Sequence, residues 1–192
     1  MDPIVVVSGL PRSGTSMVMR IVEAGGLELI VDGKRKADQD NPKGYFEYEK
    51  VKELAKDDSW LKDISGKVVK IVSPLLYNLP LTYKYKIIFV KRHMEEILAS
   101  QNKMLESSGR QSHIEDSVMG EKFEVHLKKV CKWIEKQKNI ICLYVSYNEI
   151  MQNPLPSLSK MNEFLGGILD LNAMIEAIDG SLYRNRIVNR IH

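Results

Sequence analysis

Four short runs rich in β-branched residues recur along the chain, at Ile4 to Val7, Lys67 to Val72, Ile87 to Lys91 and Ile140 to Val145. None alternates cleanly between apolar and polar positions, so each predicts a strand covered on both faces, as in a parallel sheet. The stretches between them carry helical spacing. Thr15 to Ala24 is apolar enough for a buried helix ended by Gly25 and Gly26. Met94 to Leu105 follows the third run directly, and Phe123, Leu127, Val130, Cys131 and Ile134 share one helical stripe. After Ser146 the chain turns helical again, with Pro154 and Pro156 opening Leu158 to Leu165 and a last short helix near Leu171 to Ile178. Strands alternating with helices predict right-handed βαβ crossovers. The expected fold is α/β, a three-layer α/β/α arrangement around a central, mostly parallel sheet with Rossmann-like P-loop topology. No repeat, low-complexity tract or long linker interrupts the pattern, which predicts a single domain over residues 1–192.

The 192 residues are 44% hydrophobic and 28% charged, ordinary globular composition, which excludes a disordered tail or a peptide scaffold. No apolar run approaches the roughly 18 residues of a membrane span. The start, MDPIVVVSGLPRSGTS, lacks the basic and long apolar regions of a signal peptide, so a cytoplasmic protein with no membrane partner is expected. Cys131 and Cys142 lack metal-ligand spacing and read as buried small hydrophobes. The net charge of +3 does not demand nucleic acid. Lys128, Lys129, Lys132, Lys136 and Lys138 have no aromatic or glycine-rich platform beside them and read as the wet face of a helix.

One loop changes the picture. Gly9-Leu10-Pro11-Arg12-Ser13-Gly14-Thr15-Ser16 has the glycine spacing of a P-loop and lies between a buried strand and a helix. Its glycines let successive N–H groups point into one concavity, and the helix N-terminus adds partial positive charge for a phosphate or sulfate. The bland alternative is a glycine turn with a Ser/Thr cap. Against it, Arg12 and the hydroxyls of Ser13, Thr15 and Ser16 surround the same concavity. The loop also departs from that of an ATP- or GTP-hydrolysing enzyme, which has Lys after the second glycine where this chain has Thr15. The strand Ile87 to Val90 ends in Lys91-Arg92, where such an enzyme would hold magnesium with an acid. The residues thus read as a nucleotide-like site that uses direct protein contacts and no metal.

PRSGTS after the first strand, with Arg92 closing a later strand and Ser100 eight residues on, resembles the sulfotransferases. The resemblance continues in NPKGYFE (Asn41 to Glu47), FVKRHMEEILASQNKM (Phe89 to Met104), YVSYNEIMQNP (Tyr144 to Pro154) and SLYRNR (Ser181 to Arg186). It implies 3′-phosphoadenosine 5′-phosphosulfate (PAPS) as sulfuryl donor and a hydroxyl or amine on a small-molecule or carbohydrate acceptor. Carried over by position, it assigns the 5′-phosphosulfate to Pro11, Arg12, Ser13, Gly14, Thr15 and Ser16, and the 3′-phosphate to Arg92 and Ser100. Arg184 and Arg186, alternate residues of one segment, would close over the cofactor. The alternatives are a solvated basic tail for those two arginines and, for the whole chain, a non-catalytic nucleotide-binding module or a P-loop kinase or NTPase.

Sulfuryl transfer needs a base for the acceptor proton and cations for the leaving phosphate. Glu47 is the expected base, held beside Tyr45 and Phe46 just before a predicted helix reaching Lys56; capping that helix is its competing role. Arg12 would stabilise the leaving phosphate. Lys70, near the end of a predicted strand, would assist or orient the acceptor, or else simply emerge at a sheet edge. His93, beside the basic pair, reads as a helix-start residue rather than a catalyst.

Overall fold

The computed structural model describes residues 2–38, 41, 44–112 and 114–183. Among these residues five strands form, β1 (Ile4–Gly9), β2 (Leu29–Ile30), β3 (Val68–Lys70), β4 (Tyr85–Lys91) and β5 (Ile140–Ser146). They lie in the order β2-β3-β1-β4-β5, and every pairing is parallel. The helices are α1 (Thr15–Ala24), α2 (Met94–Ser107), α3 (Asp116–Lys136), α4 (Tyr147–Gln152), α5 (Pro154–Leu165) and α6 (Leu171–Glu176).

The missing alternation in the strands has a direct cause. Successive side chains of a strand point to opposite faces, and here both faces are covered. Val5 and Val7 pack with Val18, Ile21 and Val22 of α1, Leu158 and Met161 of α5 and Met174 of α6. Ile4 and Val6 pack with Val130 and Ile134 of α3 and with Val51, Trp60, Leu61 and Leu76 from short 3₁₀ segments. The expected three-layer arrangement is therefore present, with the sheet fully parallel.

Local differences from the expectation have local reasons. β2 has only two residues, too few to leave a pattern in the sequence. The helix expected from Glu47 to Lys56 is a 3₁₀ segment, Glu49–Glu53. Phe46 takes a left-handed backbone, φ 52, and Asp32 Oδ2 accepts the Glu49 N–H at 2.7 Å, so the chain stays irregular up to Tyr48. The two cysteines are free and only partly buried, although burial still pushes the Cys142 thiol up to about 12.

Register gathers the strand ends that matter. Val7 pairs with Lys70 on one side and Ile88 on the other, and Gly9 pairs with Val90. The chain crosses from one side of β1 to the other between β3 and β4, and such a switch opens a crevice at the carboxyl ends of the strands.

Candidate functional site

The loop from β1 to α1 is shaped by left-handed backbone at Arg12, φ 68, and Gly14, φ 99. A Cβ on Gly14 would lie 2.3 Å from the Tyr147 ring, and one on Gly9 would lie 2.6 Å from the Val90 carbonyl, so neither position has room for a side chain. Gly14 caps α1 with no side-chain hydrogen bond to its first N–H groups, and the first turn carries no acid. The helix therefore offers its positive end to the crevice.

A cleft of about 230 Å³ opens there. Pro11, Arg12, Gly14, Thr15, Ser16, Glu47, Lys70, Arg92 and Ser100 all line it, so most of the residues singled out in the sequence converge. Ser13 does not line it. Its hydroxyl is buried beneath the loop without a hydrogen-bond partner among the described residues, while its N–H bonds to the Leu10 carbonyl at 3.1 Å. Arg184 and Arg186 lie outside the described residues. His93 is the N-cap of α2, as its position predicts.

Charge dominates the lining. Arg12, Arg20, Arg35, Lys70, Arg92 and Lys103 face two acids, Glu47 and Asp179. Arg12 Nε donates to Ser100 Oγ at 2.9 Å, which ties the loop to α2. Arg92 Nη1 donates to the Arg12 carbonyl at 3.2 Å and its Nε to Glu96 Oε2 at 2.8 Å, while its guanidinium stacks 4.3 Å from the Tyr147 ring centroid. Arg92 and Ser100 are thus neighbours through Arg12 rather than directly paired.

The opposite wall is a strap formed by the described residues between β2 and Tyr48. Arg35 stacks 3.4 Å from the Tyr45 ring centroid and donates to Glu47 Oε1 at 2.9 Å. The Tyr45 hydroxyl donates to Asp38, and Asn41 Nδ2 donates to Ser16 Oγ at 3.1 Å, so the strap is fastened to the first turn of α1. Lys70, the last residue of β3, is only 7% exposed. Its ammonium donates to the Tyr45 carbonyl and lies 3.7 Å from Glu47 Oε1. Burial pulls Lys70 down to about 8 against the counter-effect of the Glu47 carboxylate.

Several site residues escaped the sequence reading, and spacing held the signal for three of them. Arg20 is four residues beyond Ser16 on α1, Lys103 three beyond Ser100 on α2, and Glu96 four beyond Arg92. Such spacings put side chains on one helix face. Arg35 and Asp38 sit in irregular chain and left no such signal. Among the described residues no group of three His, Cys, Asp or Glu side chains is placed to hold a metal ion, and no helix is long and apolar enough to cross a membrane.

A P-loop-bearing parallel α/β architecture with a cationic crevice is the class that fold and site define. The chain belongs to the sulfotransferase domain family, whose signature matches residues 2–185. No curated protein matches it by sequence. Among solved structures it is similar to mouse sulfotransferase SULT7A1 complexed with PAP, at 16% identity and TM-score 0.60, over 97% of this chain and 68% of that one. It is also similar to the sulfotransferase domain of the curacin biosynthetic pathway, at 14% identity and TM-score 0.55, over 95% and 80%. The sulfotransferase domain of the Synechococcus PCC 7002 olefin synthase aligns at 15% identity and TM-score 0.55, over 95% and 79%. At these identities the likeness is one of fold.

Proposed function

We propose that residues 1–192 act as one domain that moves a sulfuryl group from PAPS to a hydroxyl or amine of a small-molecule or carbohydrate acceptor. The observation that carries this reading is the meeting of the α1 N-terminus, Arg12, Arg92 and Ser100 in one cleft. The donor set suits a ligand with two separated phosphate-like groups. The glycine loop, Arg12 and Lys70 offer N–H groups and charge to a 5′-phosphosulfate, and Arg92 and Ser100 offer a fork and a hydroxyl to a 3′-phosphate. PAP, with which the mouse enzyme was solved, is the desulfated form of this donor.

The donor supplies an activated sulfuryl group; the chain's residues supply the rest. As the acceptor oxygen or nitrogen bonds to sulfur, the S–O bond to the 5′-phosphate breaks and the acceptor proton passes to Glu47. Arg12, protonated Lys70 and the α1 N-terminus balance the charge that gathers on the leaving phosphate. Lys70, held at about 8, keeps its proton at neutral pH. Six cations around the cleft do the work that magnesium does in nucleotide hydrolases.

Calorimetric titration with 3′,5′-bisphosphoadenosine, 5′-AMP and ATP, with and without EDTA, tests the reading. The bisphosphate is expected to bind at least about tenfold more tightly than 5′-AMP, one charge-assisted contact being worth about that much, and to keep its affinity in EDTA. Equal affinities would remove the PAPS assignment, and magnesium-dependent ATP binding would replace it with a kinase.

A further inference from the structure

Tyr183 is not among the residues lining the cleft, yet it is bonded to the group behind the cleft's most orienting cation. Its hydroxyl donates to Glu96 Oε1 at 2.9 Å and accepts from Asn148 Nδ2 at 2.8 Å. Glu96 turns its other oxygen to Arg92 Nε at 2.8 Å. Asn148 also accepts the His93 N–H at 3.2 Å, at the start of the helix that carries Glu96. The Tyr183 ring meets Tyr147 edge-on, centroids 5.4 Å apart, and Tyr147 is the ring on which Arg92 stacks. Arg92 is therefore held by a carboxylate at its edge and an aromatic face below, and Tyr183 braces both.

We propose that Tyr183 is a positioning residue that fixes the direction in which Arg92 presents its guanidinium to the cleft, and that it thereby sets the preference for a ligand bearing a second phosphate. The inference rests on the bisphosphate reading above. A guanidinium recognises phosphate through a planar fork, so its value depends on orientation as much as on charge. The Glu96 carboxylate holds Nε and the Arg12 carbonyl accepts from Nη1, so the plane of the guanidinium is set against the loop that lines the cleft. A hydrogen bond at each oxygen restrains rotation of a carboxylate about its terminal bond, and the Tyr183 hydroxyl holds the oxygen that Arg92 Nε does not. Burial and the adjoining carboxylate both push the Tyr183 phenol up, so it remains the protonated donor across the neutral range.

Tyr183→Phe keeps the ring and its contact with Tyr147 while deleting the hydroxyl. Calorimetry on the full chain is expected to show bisphosphoadenosine affinity reduced at least about fivefold and 5′-AMP affinity held within about twofold, since a hydrogen bond to a charged partner is lost away from the loop. The Arg92 Nε–H correlation in nitrogen-edited NMR, assigned by its disappearance in Arg92→Lys, is expected to shift without any ligand. Asn148→Ala, which removes the donor that orients the phenol, should move both readouts in the same direction. If wild type prefers the bisphosphate and the variants keep the full ratio, or if the Arg92 signal stays in place, the positioning role is overturned while the PAPS reading stands. A wild type with no preference overturns both.

Discussion

Arg12 on the phosphate loop and Ser100 on α2 are hydrogen-bonded, Nε to Oγ, at 2.9 Å. The family resemblance assigns these two residues to opposite ends of one nucleotide, and the fold puts them in contact. The two side chains are coupled: a change at Ser100 alters how Arg12 is held, and the Arg92 bond to the Arg12 carbonyl extends the linkage.

Arg92→Ala is expected to weaken folding as well as bisphosphate binding. The Glu96 side chain is 1% exposed and would lose its ion partner, a loss worth about 3–5 kcal/mol in buried pairs. Replacing both, Arg92→Met with Glu96→Leu, should recover most of the stability and none of the preference for a 3′-phosphate. Urea denaturation and calorimetry on the single and double variants separate the two effects.

Lys70 gives the cleft a pH signature. Its folded value of about 8 lies below the 10.5 of an unhindered lysine, so between these pH values the unfolded chain binds more protons than the folded one. Stability contributed by this group therefore rises with pH across that window, and below it the cost of burying the charge is constant. Lys70→Met should melt higher than wild type at pH 7 and lose that part of the slope. Bisphosphate affinity should fall in wild type as pH rises through 8 and stay flat there in the variant.

Glu47→Gln tests the base. The change is isosteric and removes no group assigned to nucleotide binding, so bisphosphate affinity should hold within about twofold while sulfuryl transfer falls at least about a hundredfold. Unchanged turnover would leave Glu47 as the ion-pair partner of Arg35 and Lys70.

Gly14→Ala is expected to destabilise by about 1–3 kcal/mol and to abolish nucleotide binding, because the new methyl meets both a left-handed backbone and the Tyr147 ring. Tyr147→Leu in the same chain should return part of the stability. Thermal melts of the pair decide it.

The parallel sheet and the loop were legible because their causes are local. Ile4 to Val7 is apolar on both faces of its strand, and the glycine spacing of the loop follows from backbone conformations that only certain residues tolerate. Arg92 and Ser100 were legible through the family resemblance and through one helix's geometry. The strap was not. Arg35, Asp38 and Tyr45 meet outside any regular element, and no periodicity records such contacts. Tyr183 belongs to SLYRNR and shares with Arg184 and Arg186 the expectation of closing over the cofactor, which says nothing of Glu96. Its bond to Glu96 spans 87 positions, a relation invisible without the fold.

The contact of Gly14 with Tyr147 bears on the order of assembly. The glycine sits in the loop after β1 and the ring on α4, which follows β5, so the loop is walled only when two distant stretches of the sequence have met. Contacts of such long sequence separation close late, since loop entropy must be overcome before they form. The glycine loop is consequently not a module that could act while the rest of the chain is still folding. Ligand capture reports the completed protein, and a refolding experiment should see nucleotide affinity return with the slowest structural phase.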